Sequence, residues 1–242
     1  MKIRSPLSLF SVALLVLAPA SSLMAVERAG DFSLLDQHGV YHQLSYYDDH
    51  NAVVVLTHGL NCAATREALP AYTGLQNRFN KEGVEFLLLN VEGVDRQLVQ
   101  QEMSTLGFTM PVLMDDAQLV GELLGVSVAG EAIVLDPASF NILYRGPVNA
   151  DLATAVGQVA RGEEVSVASS PVTGCQVNYA ARSDHEQNGI SYVNEVAPII
   201  AENCAECHRR NSNDPFALDS YQVVQGWSPM INVVVLTKRF LP

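Results

Sequence analysis

Positive charge is scarce in this sequence. Fourteen lysines and arginines stand against 26 aspartates and glutamates, a formal net charge of −12. A chain this acidic gains nothing from a phosphate backbone, so nucleic acid is not expected as a partner. A glycine-rich phosphate loop and a G-x-S-x-G elbow are both missing, and with them two common signatures of nucleotide binding and serine hydrolysis. Beyond the N-terminal 25 residues no apolar run is long enough to cross a bilayer, since 53–56 and 233–236 are short. There is no internal repeat and no low-complexity tract. What is present is ordinary globular material: 242 residues, 48% hydrophobic and 17% charged, enough for one large core or two small ones. Cysteine occurs only four times, at positions 62, 175, 204 and 207, and these four positions carry most of the chemistry.

Residues 1–25 read as a secretory signal peptide. Lys2 and Arg4 precede an apolar stretch over 7–17, and small residues over 18–25 offer cleavage sites after Ala20 or, preferably, Ala25. A retained N-terminal anchor is the competing reading. Cleavage would take the formal charge to −14 and leave a mature chain with no membrane span. A periplasmic or secreted location follows, in oxidising surroundings where disulfides persist.

From about residue 31 to residue 161, short apolar runs alternate with helical stretches. Residues 52–57 and 85–91 form continuous apolar runs, the pattern of central strands buried on both faces. Helical spacing is expected over 65–80, 95–106, 117–124 and 151–159, with two further strands over 132–135 and 142–144 split by Asp136-Pro137. Alternating β and α ending in a hairpin and a helix predicts an α/β layer fold around one mostly parallel sheet, over 26–161. Residues 162–189 lose this periodicity and read as a linker carrying Cys175. Helical spacing returns at 190 and runs into Cys204.

Cys204-Ala205-Glu206-Cys207-His208 is a C-x-x-C-H sequence. Two thiols three positions apart on one helical face can both add to the vinyl groups of haem, and the adjacent imidazole then lies beneath the iron. Haem c, held by Cys204 and Cys207 with His208 as proximal ligand, is the expected cofactor. An ordinary disulfide is the competing reading. The stretch from Val196-Ala197-Pro198 through Cys207-His208, with Asp214-Pro215-Phe216 and Tyr221, resembles small all-α c-type cytochrome domains of secreted bacterial proteins, over roughly 190–242. That resemblance implies a sixth ligand from a late Met before a Pro. Here Leu241-Pro242 occupies that place, and Met230 is the alternative donor. Only 34 residues follow His208, so a truncated domain, an exposed haem and a five-coordinate iron all stay open.

Cys62 follows the strand 53–57 and the turn His58-Gly59-Leu60-Asn61 and opens a helix, where unpaired amides and the positive helix end favour thiolate. Together with Asp31-Phe32-Ser33-Leu34 and Ile133-Val134-Leu135-Asp136, this arrangement resembles the thioredoxin-like redoxin family, including its peroxiredoxin-related AhpC/TSA branch. The resemblance implies a central mixed sheet flanked by helices, followed here by the small cytochrome c-like domain. The departures matter for activity. Thr65 stands where a dithiol C-x-x-C would continue, Arg66 where a C-x-x-x-C would end, Gly59 where peroxiredoxins carry Thr, and Ala129-Gly130 where thioredoxins carry a cis-proline. A single thiol at Cys62 can form a mixed disulfide or a sulfenic acid, and it needs a second thiol to complete exchange. Cys175 is the one left to serve, either as a resolving thiol, in a static disulfide, or unlinked. Arg66 and His58 are candidates for tuning the Cys62 thiol. His38 and His42 lie in an expected turn, which argues against a metal pair, and Asp115-Asp116 reads as a helix start.

Two functions follow as expectations. The first is an exported protein passing single electrons through haem to redox partner proteins. The alternative is a thiol–disulfide oxidoreductase or thiol peroxidase acting through Cys62. An assembly module with both sites degenerate is the third reading.

Overall fold

The computed structural model describes residues 27–210 and 217–237. The expected signal peptide, residues 214–216, Leu241 and the side chain of Met230 lie outside the described residues.

Two continuous apolar runs build the centre of the sheet. Strand β3 (Ala52–His58) is buried at every position, and β4 (Val84–Asn90) at all but one. They pair in parallel, with Val53 opposite Glu85 and Leu56 opposite Leu88. β5 (Val112–Met114) extends the sheet in parallel beyond β4, whereas β7 (Ala132–Leu135) and β8 (Ile142–Gly146) continue it antiparallel on the β3 side. The order is β5-β4-β3-β7-β8, a mixed five-stranded sheet. Because side chains alternate across a strand, one run of β-formers supplies two cores. Val54, Leu56, Phe86 and Leu88 face one layer with Leu69, Tyr72, Val99, Leu152 and Val156. These last five come from α1 (Ala63–Phe79), α2 (Arg96–Leu106) and α4 (Ala150–Ala160). Val53, Val55, Leu87 and Leu89 face the other layer with Phe32, Leu34, Val120 and Cys62. That side is covered by the hairpin of β1 (Ser33–Leu35) with β2 (Tyr41–Gln43) and by the short α3 (Leu119–Leu123).

The expected α/β layer fold therefore stands, with a mixed rather than mostly parallel sheet because the last two strands turn back as a hairpin. Asp115 marks a helix start, as expected, although it stands four residues before α3 and reaches the first turn with its side chain. Its buried carboxylate accepts from the Gly121 amide at 2.7 Å, and Gln118 precedes α3 in a left-handed conformation.

The segment 162–189, read from composition as a linker, is instead folded onto the first unit. The Arg145 amide donates to Ala168, and the Ser170 amide donates back to Arg145. β9 (Cys175–Gln176) then pairs antiparallel with β6 (Val128–Ala129), Cys175 opposite Ala129. The Val177 amide donates to Ser127, the Tyr179 hydroxyl to the Val126 carbonyl, and the Gln118 side chain to the Asn178 carbonyl. These bonds are made by backbone groups and scattered polar side chains. They leave no periodicity to read.

Farther along, α5 (Ala180–Gln187) is followed by a wide helical turn, Tyr192–Val196, which runs into α6 (Ala197–Asn203). α7 (Tyr221–Thr237) completes a small apolar cluster in which Ile200, Leu218 and Val224 are buried against Tyr192, Val196 and Cys204. No helix among the described residues is long and apolar enough to cross a membrane.

Candidate functional site

The end of β3 delivers a tight turn to the start of α1. Asn61 adopts φ +60°, a left-handed conformation that asparagine tolerates better than most residues. Cys62 follows as the N-cap residue of α1, in extended backbone. Thr65, at the position a second cysteine would take in C-x-x-C, is buried and donates its hydroxyl to the Thr57 carbonyl at 3.2 Å. It pins α1 to β3 and contributes no redox chemistry.

The second sulfur comes from far along the chain. Cys62 and Cys175 form a disulfide, with their Cα atoms 5.9 Å apart across a sequence separation of 113. Of the alternatives open for Cys175, the structure contains the link. Three features bring the two residues together. β9 lies on β6, which carries Ala129 beside the Cys62 sulfur. Gly174 lets the chain pass so close to β6 that a Cβ there would sit 2.0 Å from the Ala129 carbonyl oxygen. Gly130, at φ +100°, gives room to α1, since a Cβ would come within 3.0 Å of Ala64. Here the close approach of backbones requires glycine.

Two carboxylates hold the turn before Cys62. The Leu60 amide donates to Glu92 at 2.8 Å and the Asn61 amide to Glu102 at 3.0 Å. Glu102 also receives Arg66 Nε at 2.8 Å and His58 at 3.1 Å, and the Asn90 side-chain Nδ2 donates to the other nitrogen of His58 at 3.0 Å. Burial raises the Glu102 carboxyl, but hydrogen bonds from His58, Arg66 and Asn61 outweigh it and hold its pKa down at about 2. His58 and Arg66, the two candidates for tuning the thiol, are thus directed to Glu102 rather than to the sulfur. Arg66 also donates to the Asn61 side chain at 2.6 Å. Glu102 and Glu92 were not anticipated. The available signal for Glu102 was an acid on the buried face of a helix, beside Val99 and Met103. Glu92 explains Gly59, because a Cβ at Gly59 would lie 2.8 Å from its carboxylate and 3.1 Å from the Ala129 Cβ.

The C-x-x-C-H residues lie apart from this site. Cys204 and Cys207 are free thiols, Cys204 half-buried and Cys207 exposed, and the His208 amide donates to the Cys204 carbonyl at 2.9 Å. Burial pushes the Cys204 thiol up. His42 bonds Tyr47 at 2.6 Å and Asp36 at 3.3 Å rather than joining His38.

The disulfide site on a mixed α/β sheet can be compared with known proteins. No curated protein matches the chain. Among solved structures, a hypothetical protein from Sinorhizobium meliloti is 25% identical with a TM-score of 0.56, covering 66% of this chain and 97% of its own. An uncharacterized conserved protein from Geobacillus kaustophilus is 18% identical with a TM-score of 0.57, covering 65% of this chain and 93% of its own. A thiol:disulfide interchange protein from Chlorobium tepidum is 21% identical with a TM-score of 0.48, over 57% of this chain and 98% of its own. The family model described as AhpC/TSA family matches residues 26–150, just over half of the chain. With that span, which holds β3, Cys62 and α1, the chain belongs to the AhpC/TSA family and has its thioredoxin-like α/β fold.

Proposed function

We propose that this protein is a thiol–disulfide oxidoreductase whose working couple is Cys62 and Cys175. The observation that carries this reading is the disulfide itself, with one sulfur at the start of a 17-residue helix and the other on a strand pinned next to it. Reduction yields two thiols, and the helix end stabilises the thiolate of Cys62. Exchange fits the site better than peroxide reduction. The Leu60 and Asn61 amides, which could otherwise polarise a peroxide, already serve Glu92 and Glu102, and Arg66 is committed to Glu102. Two carboxylates there add negative charge where a developing oxyanion would need donors. Equilibration with dithiothreitol couples of graded ratio is expected to give one reversible two-electron transition, lost in both Cys62→Ser and Cys175→Ser. A disulfide that stays closed in excess dithiothreitol would sink the reading.

The expected partners are redox proteins or thiols, and the location is extracytoplasmic. The N-terminal 25 residues and a disulfide that persists only in oxidising surroundings support this. An acidic chain favours a basic partner, so exchange rates should fall as salt is raised.

A second reading concerns the C-terminal residues. Two unpaired thiols and an imidazole on one turn, next to a small apolar cluster that includes Cys204, are a donor set that fits covalent haem. Cys204 and Cys207 would hold the porphyrin and His208 the iron, and the group would supply one-electron transfer. Expression with haem-maturation machinery is expected to give a haem-stained band on a denaturing gel, lost in Cys204→Ser/Cys207→Ser. An unstained wild-type band removes this reading and leaves the Cys62–Cys175 couple untouched.

A further inference from the structure

The two sulfurs of the disulfide differ in access. Cys62 is only 3% exposed, packed in the second core beneath β6 with the Ala129 carbonyl 3.8 Å from its sulfur. Cys175 is half-buried on a strand whose one neighbour among the described residues is β6, and Thr173, two residues before it, and Gln176, directly after it, are exposed. A partner thiolate reaches a disulfide at the sulfur it can touch, and the bond breaks faster when the departing sulfur is the more stable thiolate. Both conditions select the same direction.

We infer that Cys175, on the late strand, is the sulfur that engages the partner, and that Cys62 at the helix start is the leaving and resolving thiolate. This rests on the proposed Cys62–Cys175 couple. In the reductive direction, a partner thiolate attacks the Cys175 sulfur. A partner–Cys175 bond forms, the Cys175–Cys62 bond breaks, and Cys62 leaves as a thiolate at the N-terminus of α1. The partner's second thiol, deprotonated, then attacks its own sulfur in the mixed disulfide. This releases Cys175 as a thiolate that takes up a proton, and it leaves the partner oxidised by two electrons. In the oxidative direction Cys175 attacks a partner disulfide, and Cys62 resolves the mixed disulfide by attacking the Cys175 sulfur. The Cys62 position at a helix start would suggest the opposite assignment, but burial under Ala129 overrides it.

The test uses glutathione as a single-thiol probe. Oxidised wild-type protein is mixed with reduced glutathione and quenched in acid. Free thiols are then alkylated and the adduct is mapped by peptide mass. In parallel, the reduced Cys62→Ser and Cys175→Ser variants react with glutathione disulfide and are read at the same two peptides. The adduct is expected on Cys175 in the wild type, and Cys62→Ser should form its adduct on the order of tenfold faster than Cys175→Ser. A wild-type adduct on Cys62, or the faster reaction in Cys175→Ser, overturns this inference while preserving the couple. Wild-type protein that forms no adduct, and whose disulfide also survives excess dithiothreitol, overturns both.

Discussion

Alanine in place of Gly174 is expected to leave Cys62 and Cys175 as free thiols. The added Cβ would sit 2.0 Å from the Ala129 carbonyl oxygen, and that neighbour is backbone, which cannot rotate away as a flexible side chain would. The chain must therefore lift from β6, breaking the pairing that sets Cys175 opposite Ala129. A cross-link spanning 113 residues restricts the unfolded chain strongly, and losing it costs about 4–5 kcal/mol in the chain-entropy account. For a chain of this size that corresponds to a fall in Tm on the order of 10 °C. Thiol titration of the denatured, unreduced protein should find all four cysteines in the variant, where the wild type exposes Cys204 and Cys207. A variant that keeps both the cross-link and the wild-type Tm would refute the close approach of the two backbones.

Replacing Glu102 by glutamine should be nearly as costly, through electrostatics rather than shape. His58 and the Asn61 amide would lose a charged acceptor in a buried setting, and Arg66 would lose its ion pair. Removing one member of such a network costs about 3 kcal/mol. The pH dependence has a definite sign. The Glu102 carboxyl is held at about 2 in the fold against 4.5 as its reference value, so its contribution is present above about 4.5 and is lost as the pH falls through about 2. The stability gap between wild type and Glu102→Gln, measured by denaturant unfolding, should be full at pH 7 and shrink progressively below pH 4.5. A gap that is constant from pH 7 to pH 2 would mean that the ionised carboxylate contributes nothing.

These two residues also mark the limit of what the sequence discloses. β3 and β4 were readable because a strand buried on both faces must be apolar throughout, and Cys62 was readable because it follows such a strand and opens a helix with regular spacing. Cys175 was readable as a candidate only. Its pairing with Cys62 depends on a two-residue strand, one glycine passing a carbonyl, and hydrogen bonds from Gln118 and Tyr179, none of which leaves a periodic trace. For the same reason the segment 162–189 looks like a linker by composition while it folds against β6 and β8. Glu102 was hidden because an acid in a polar helix is ordinary. Its partners His58 and Arg66 lie 44 and 36 residues away, and only the fold converges them. The C-x-x-C-H signal is the reverse case, a chemical motif legible from five residues with little surrounding structure to add to it.

The anchoring of β9 has a thermodynamic consequence for the couple. Val177, Asn178 and Tyr179 hold the strand through bonds that do not involve either sulfur. In the proposed couple they would outlast opening of the cross-link and keep the two thiols side by side at a high effective concentration. Every increment of that effective molarity favours reclosure over capture of a second external thiol, and a tenfold increase lowers the two-electron potential by about 30 mV. In that proposed couple, the strand that supplies the second sulfur would also set how strongly the reduced protein donates its electrons.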